Sequence, residues 1–332
     1  MDTRHPTHES PGPLRPGDVL LFHGHGYVSW AIRRFDESDV DHAAIVLDPE
    51  TMAEATASGL RHDGIRQAVD GSRFAYALRL TGATDATGAV GAARAAVASR
   101  TPDTHERLVQ LAVLAMTRRL PIDDPSLRRL LCVLMDRAAD VVARLADRGR
   151  RLTTDAEFVH RCFASTGDPA LAIAVLAPSA HKLSVERTPI VGAEAALWEW
   201  AAQHEDTPSV APRWPKVELE PLIAAFARVD DPNDPIVSRC STSEDQMATI
   251  VGDVADAQLL AAATRFRDRF IHLVQPSPPD ALSHPWERFH ASAAFVTPGD
   301  LRYSPSLATA TSLRPAPSMA TNGPSVSSGN GP

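Results

Sequence analysis

Two polar residues near the N-terminus, His42 and Glu54, are of the types that acid-base chemistry requires. His42 precedes the apolar run 43–47, and Glu54 lies within the run 51–55. Both runs are typical of strands, and on neighbouring antiparallel strands the two side chains would come within a few ångströms of each other. A carboxylate fixes the tautomer of a nearby imidazole and stabilises its charge. The pair therefore has the types of a general base and its orienting residue.

The same pair also has a structural interpretation. The chain contains 13 histidines, and a partly buried histidine often forms a salt bridge with a carboxylate. From the spacing alone, this structural interpretation is the favoured one.

Several predicted elements would position the two residues. A Pro-Gly turn precedes an apolar strand, and both lie within residues 14–22. Residues 28–35 have the apolar spacing of a short amphipathic helix, and the strands at 41–47 and 51–55 follow. We therefore predict a small antiparallel sheet with Glu54 near its middle.

Three of these segments resemble motifs of the circularly permuted papain-like cysteine hydrolases, a branch of the NlpC-type superfamily. The segments are 16–22 (Pro-Gly-Asp-Val-Leu-Leu-Phe), 41–46 (Asp-His-Ala-Ala-Ile-Val) and 53–55 (Ala-Glu-Ala). In that family a Gly-Asp strand comes first, a second strand supplies the histidine base, and a third supplies a polar residue that orients it. The nucleophile comes last, in a Cys-Ser-Glu-Phe-Val-type motif that opens a helix.

The corresponding motif in this chain has Asp155 at the position of the nucleophilic cysteine. Residues 155–163 read Asp-Ala-Glu-Phe-Val-His-Arg-Cys-Phe. A helix N-terminus lowers the pKa of a thiol and supplies oxyanion donors, whereas an aspartate there is a firmly ionised carboxylate and a weak nucleophile. The resemblance covers 14–70 and 150–165, and residues 295–301 resemble a closing segment of some relatives. It implies a hydrolase fold in which the usual thiol mechanism is unavailable.

Asp155 has a structural interpretation that we favour over a catalytic role. Thr154 followed by Glu157 fits a capping box, in which Thr154 is the N-cap and Glu157 reaches back. Asp155, in the first turn, would then complement the helix dipole.

Two enzymatic alternatives remain open. Cys162 lies two turns further along the same helix and could be a displaced thiol, although it would lie about 10 Å from the helix start. A buried cysteine in a helix is more often part of the core. His42, Glu54 and Asp155 together also have the residue types of a facial iron or manganese triad.

The residues predicted to bind substrate are His23, Asp18 and Glu157, which lie in or beside the same motifs. For His23, at the expected entrance of the cleft, a solvated loop is the alternative. Cys132 lies in an apolar helical run and is predicted to be a core residue. Cys240 has no metal-like or redox spacing around it.

Composition restricts the remaining possibilities. The 332 residues, of which 44% are hydrophobic, can form one large or two small domains. The three cysteines and the lack of a long apolar segment favour a cytoplasmic protein without a membrane span. The polar start, 1–13, lacks the apolar region of a signal peptide. A net charge of -8 does not indicate binding to nucleic acid.

The predicted fold class is α+β, with the small antiparallel sheet packed by the motif helix in a permuted papain-like arrangement. We predict one domain over 14–303, enlarged by helical insertions at about 88–150 and 192–290. The N-terminus, 1–13, is predicted to be flexible. The Ser-, Thr-, Pro- and Gly-rich tail, 304–332, is predicted to be disordered.

The leading functional hypothesis is a cysteine-hydrolase-like protein of the amidase, peptidase or acyl-hydrolase type that has lost its thiol. It would keep a cleft for a peptide, amide or acyl-ester ligand and would need no metal or other cofactor. Binding to nucleic acid is not expected, whereas a protein partner is possible. The alternatives are an active hydrolase that uses Cys162 or a metal-dependent route, and a purely structural interaction protein.

Overall fold

The computed structural model describes residues 13–82, 85–99, 103–175, 195–205, 219–230, 254–274, 284–293 and 295–314. The helices in these ranges are α1 (Tyr27–Phe35), α2 (Ile65–Asp70), α3 (Thr87–Ala98), α4 (Arg107–Thr117), α5 (Pro125–Asp147), α6 (Asp155–Ala164), α7 (Leu197–Gln203), α8 (Leu219–Asp230), α9 (Asp256–Val274), α10 (Pro285–Ser292) and α11 (Pro298–Arg302). The strands are β1 (Val19–His23), β2 (His42–Val46), β3 (Thr51–Thr56), β4 (Gly59–Gly64), β5 (Phe74–Leu80), β6 (Asp103–Thr104), β7 (Arg119–Leu120), β8 (Arg151–Leu152), β9 (Ala195–Ala196) and β10 (Leu307–Arg314).

The main sheet has six strands in the order β10-β5-β1-β2-β3-β4. Each neighbouring pair is antiparallel. In the central strand β1, residues 19–22 are all buried. This explains their continuous apolar sequence, because a strand covered on both faces has no polar side.

The sheet packs a different apolar cluster on each face. On one face, Val19, Leu21, Ala43 and Ile45 pack with residues of α3 and α6. On the other face, alternate residues such as Leu20 and Phe22 pack with Ile65 of α2. Among the strands of this sheet, α6, the motif helix, packs mainly against β2 and β3.

A separate helical core lies beside the sheet. It is built from α1, α4, α5, α7, α8, α9 and α10. The long helix α5 packs against α4, α8 and α9. Its N-cap is Asp124, whose side chain accepts a hydrogen bond from the Leu127 amide, and Pro125 follows at the first helical position.

The α+β class and the antiparallel sheet are confirmed, but the sheet is larger than predicted. Strands β4, β5 and β10 were not predicted. The strand predicted within 14–22 spans Val19–His23. Within the predicted helical insertion at about 88–150, α5 ends at Asp147, because Gly149 turns the chain with a φ of 61° and Arg151 enters β8.

The prediction of a disordered tail from residue 304 is wrong for Leu307–Arg314. These residues form β10 and pair with β5, with two irregularities in the register. The polar, small-residue composition of the segment concealed an edge strand, in which one side of the backbone needs no partner strand. Residues 1–12 and 315–332 lie outside the described residues, as do Cys240 and parts of the predicted insertion at 192–290.

Within the described ranges, no helix is both long enough and apolar enough to span a membrane.

Candidate functional site

Strand pairing brings His42 and Glu54 together. The β2–β3 register pairs Ile45 with Ala53 and Val46 with Met52, so Glu54 and His42 are diagonal neighbours across the strands. The His42 Nε2 atom lies 2.6 Å from the Glu54 Oε2 atom. From β4, Arg61 donates through Nε to the other oxygen of Glu54 at 2.9 Å. The predicted contact between the histidine and the carboxylate is therefore present in the structure.

The start of α6 brings Asp155 to the other side of the His42 ring. The His42 Nδ1 atom and the Asp155 Oδ2 atom form an ion pair. Asp155 is fully buried, and it accepts hydrogen bonds from the backbone N–H groups of Ala43 at 3.0 Å and Ala156 at 2.7 Å. Asp155 is thus bound directly to His42.

Both ring nitrogens of His42 face carboxylate oxygens, so when both carboxyl groups are ionised both nitrogens donate and the ring carries a positive charge. Burial lowers the pKa of His42, but the Asp155 and Glu54 carboxylates outweigh burial and raise it to about 10. Burial opposes ionisation of Asp155. At the low pH at which Asp155 titrates, His105 and His42 both carry a positive charge, and these charges, with the hydrogen bonds from His42 and Ala43, lower the pKa of Asp155 to about 2. The pKa of Glu54 is also lowered, because its bonds to His42 and Arg61 outweigh burial. At neutral pH the array formed by Asp155, His42 and Glu54 is therefore a carboxylate, an imidazolium and a carboxylate.

No role at this site was predicted for His105. The His105 Nδ1 atom accepts a hydrogen bond from the Asp155 backbone N–H at 2.8 Å, and its ring centroid lies 6.2 Å from that of His42. Burial lowers the pKa of His105 to about 4, so this histidine is neutral. It lies before α4, far from the matched motifs, and the sequence offers no signal that links it to Asp155.

Asp41, the residue before His42, holds the start of β2 in place. Its Oδ1 atom accepts hydrogen bonds from the Gly24 amide at 2.7 Å and from Arg33 at 2.8 Å, and its Oδ2 atom binds Arg107. A Cβ atom at Gly24 would lie 2.9 Å from the Asp41 carboxylate, so the loop needs glycine at this position. This network connects α1 and α4 to the strand that carries His42. It was not predicted from the sequence.

The three residues of the array do not fit the facial metal triad considered above. Glu54 and Asp155 lie at different nitrogens of one imidazole ring, so the histidine separates the carboxylates, and no common point lies in front of all three ligands. Across the residues that the structure describes, no group of three or more His, Cys, Asp or Glu side chains could hold a metal ion.

Cys162 lies in the apolar core. It is buried in the cluster between α6 and the sheet, and burial raises its pKa to about 12. A thiol with that pKa is not ionised at neutral pH and is a poor nucleophile. Cys132 is a core residue, as predicted.

The three predicted substrate-binding residues do not join the array. Asp18 precedes β1 at the end opposite Phe22, the residue paired with His42, and forms an ion pair with Arg79. His23 is half-buried against Phe74, with its Nδ1 atom 2.8 Å from the Asp39 carbonyl oxygen. These contacts account for both polar groups without a ligand.

Glu157 has a structural contact that differs from the prediction. Thr154 is the N-cap of α6, as predicted, and its hydroxyl accepts a hydrogen bond from the Glu157 amide at 2.9 Å. The Glu157 carboxylate does not reach back to Thr154 but accepts a hydrogen bond from the Val296 amide at 3.2 Å. The Thr154 hydroxyl donates to the Val296 carbonyl oxygen at 2.9 Å. The start of α6 is therefore tied to the segment before α11.

Comparison with known proteins gives one informative similarity. The probable lipoprotein peptidase YaeF of Escherichia coli (strain K12) is 28% identical to this chain over 158 residues. The match covers 47% of this chain and 57% of YaeF, so the chain spans little more than half of the relative's length. No family model matches the chain, and no solved structure matches it. The chain is thus similar, over about half its length, to a protein named as a peptidase.

Proposed function

We propose that this protein is a relative of the permuted papain-like cysteine hydrolases that has lost the nucleophilic thiol and binds a peptide, amide or acyl-ester ligand without cleaving it. The observation that carries the proposal is the contact of His42 with Asp155 through Nδ1 and with Glu54 through Nε2. A nucleophile position at a helix start, a histidine and an orienting carboxylate follow one another as thiol hydrolysis requires. Only the thiol is replaced.

The charge state of the array argues against hydrolysis. A general base needs a free lone pair near neutral pH, and the imidazolium of His42 has none while both carboxylates remain ionised. Asp155 has a pKa of about 2 and is fully buried. It is therefore a weak base, and it is closed to an incoming carbonyl group.

The similarity to a probable peptidase supports the class of ligand, and the exposure of the three side chains indicates where a ligand would make contact. The His42 side chain is 23% exposed, against 6% for Glu54 and 0% for Asp155. A ligand bound at this site would therefore meet the His42 side chain before either carboxylate. We include in the proposal one domain that extends from residue 14 through β10, and a cytoplasmic location.

The experiment compares the wild-type full chain with Asp155→Cys and with Asp155→Cys/His42→Ala. Alkylation by iodoacetamide is followed across pH, and the modified cysteine is located by mass spectrometry. In Asp155→Cys we expect a new reactive thiol with a pKa at least about one unit below 8.5, because the start of α6 and His42 both favour the thiolate. In the double variant the pKa should return towards 8.5.

The wild type is assayed in parallel with p-nitrophenyl acetate and with an N-acetylated peptide p-nitroanilide. We expect no hydrolysis above the buffer rate. Hydrolysis by the wild type that disappears in His42→Gln or in Asp155→Asn would refute the loss of catalysis. A thiol at position 155 with an ordinary pKa would refute the assigned geometry.

A further inference from the structure

The backbone amides at the start of α6 are bound by the protein's own side chains. The Asp155 N–H donates to His105, the Ala156 N–H donates to the Asp155 carboxylate, and the Glu157 N–H donates to Thr154. A helix normally leaves its first amides free to bind an anion or an oxyanion. Here all three of these amides are already occupied.

His105 is built to hold one of these amides. Its Nδ1 atom accepts from Asp155, so the proton of the neutral ring is on Nε2. The side chain is only 2% exposed. Its Nε2 atom faces the buried side-chain amide of Gln110, although the two groups do not reach the geometry of a well-formed hydrogen bond. The His105 ring is thus held between the Asp155 amide and Gln110.

We propose that His105 is a positioning residue that closes the oxyanion position at the start of α6. This inference rests on the proposed function, because it assigns a role to the amide of residue 155 in a hydrolase-like site. In such a site, that amide would donate to the oxygen of the carbonyl under attack. With the amide bound to His105, a carbonyl oxygen finds the donor already used. The protein therefore has two blocks to acyl transfer: the carboxylate at position 155 and His105.

Alkylation and acylation separate these two blocks. Alkylation requires only a thiolate, whereas acylation also develops charge on the carbonyl oxygen and benefits from an oxyanion donor. With p-nitrophenyl acetate, the thiolate at position 155 attacks the carbonyl carbon and a sulfur–carbon bond forms. The bond from carbon to the phenolic oxygen breaks, and p-nitrophenolate leaves with the electron pair. The release of p-nitrophenolate in a single turnover measures this step.

The variants are Asp155→Cys, Asp155→Cys/His105→Leu and Asp155→Cys/His105→Asn, each in the full chain. Leucine fills the space of His105 without an acceptor, whereas asparagine keeps an acceptor oxygen. Asp155→Cys also frees the amides of Ala43 and Ala156, so this variant alone measures what those two donors supply. The leucine variant should then acylate about 10²- to 10³-fold faster, the usual effect of one oxyanion donor. Its alkylation rate should not change, and the asparagine variant should resemble Asp155→Cys in both reactions.

Two outcomes are distinguishable. Equal acylation rates in Asp155→Cys and the leucine variant, with both thiols activated towards alkylation, would overturn the role of His105 and leave the proposed function standing. A thiol at position 155 that is not activated at all would overturn the proposed function itself.

An NMR measurement on the wild-type chain tests the inference without a buried substitution. We expect His105 to be the neutral tautomer with its proton on Nε2. We also expect a through-hydrogen-bond coupling between its Nδ1 atom and the Asp155 amide nitrogen. A proton on Nδ1 of His105 would overturn the inference, because the Asp155 amide would then have no acceptor there.

Discussion

At the scale of single residues, His42 is the cation that makes the buried carboxylates of Asp155 and Glu54 tolerable. Asp155 is completely buried and Glu54 nearly so. A buried carboxylate is stable in its ionised form only when it is paired and hydrogen-bonded. The array thus contributes to folding as well as to the proposed binding site.

The first prediction concerns the free energy of unfolding above neutral pH. The pKa of His42 is raised from 6.5 to about 10, so the stabilisation from its charge is fully present below the unfolded value and is lost as pH rises through the folded value. Urea unfolding of the wild type should therefore give a free energy of unfolding that falls between about pH 7 and pH 10. His42→Gln should be less stable by about 3–5 kcal/mol near neutral pH and should lose much of this slope. Parallel pH profiles for the two proteins would contradict the assignment of the charge to His42.

The second prediction concerns the origin of that charge. Asp155→Asn preserves the shape of the side chain and an acceptor for the Ala43 amide but removes the negative charge beside His42. The pKa of His42, followed by NMR, should fall by about 1 to 3 units. Asp147→Asn, which removes an exposed carboxylate at the end of α5, is the matched control and should leave the His42 titration unchanged. An equal shift in both variants would mean that long-range charge, and not the contact, sets the pKa of His42.

At the scale of elements, the start of α6 depends on Thr154. Its hydroxyl both caps the helix and binds the carbonyl oxygen of Val296. The cap positions the backbone at Asp155. The start of α6 is therefore fixed both by the preceding residue, Thr154, and by a segment distant in sequence.

The third prediction follows from this double role. Thr154→Ala should reduce the free energy of unfolding by about 1–2 kcal/mol, because the helix loses its N-cap and the Val296 carbonyl oxygen loses a donor. Thr154→Ser keeps the hydroxyl and loses only a methyl group, and it should recover most of that loss. Chemical denaturation measures both variants. A serine variant as unstable as the alanine variant would show that the methyl group, and not the cap, matters.

At the scale of the whole molecule, a buried ionic contact joins segments from opposite ends of the chain. Asp36, after α1, accepts a hydrogen bond from the Gly299 amide of α11 at 2.8 Å and from Arg118, after α4, at 2.9 Å. Thr297 and Asp300 form a reciprocal capping box at the start of α11. This contact holds the segment that leads into β10 against the helical core.

The fourth prediction compares two helical glycines. A Cβ atom at Gly299 would lie 2.6 Å from the Asp36 Oδ2 atom, whereas a Cβ atom at Gly91 in α3 would meet nothing within 4 Å. Gly299→Ala should therefore destabilise the protein by about 1–3 kcal/mol through crowding. Gly91→Ala should be neutral or should stabilise by up to about 1 kcal/mol through helix propensity. Thermal and urea unfolding measure both, and equal effects would contradict the close approach of Asp36 and Gly299.

The sequence predicted the local parts of the site. The strands that carry His42 and Glu54, the helix that begins at Asp155 and the cap at Thr154 follow from apolar periodicity and capping chemistry, which act over a few residues. The substrate-binding roles of Asp18, His23 and Glu157 were inferred from nearness to motifs in sequence. The structure instead gives these residues partners such as Arg79, the Asp39 carbonyl group and the Val296 amide.

The sequence by itself determined that a histidine, a carboxylate and a helix start that carries an aspartate exist in this chain, because these features depend on residue type and short spacing. The tertiary structure alone decided that both nitrogens of His42 are occupied, that His105 closes the Asp155 amide and that residues 307–314 complete the sheet. Each of these depends on contacts between segments tens to hundreds of residues apart. Such contacts are set by how the sheet, α6 and the helical core pack, and no local pattern in the sequence encodes them.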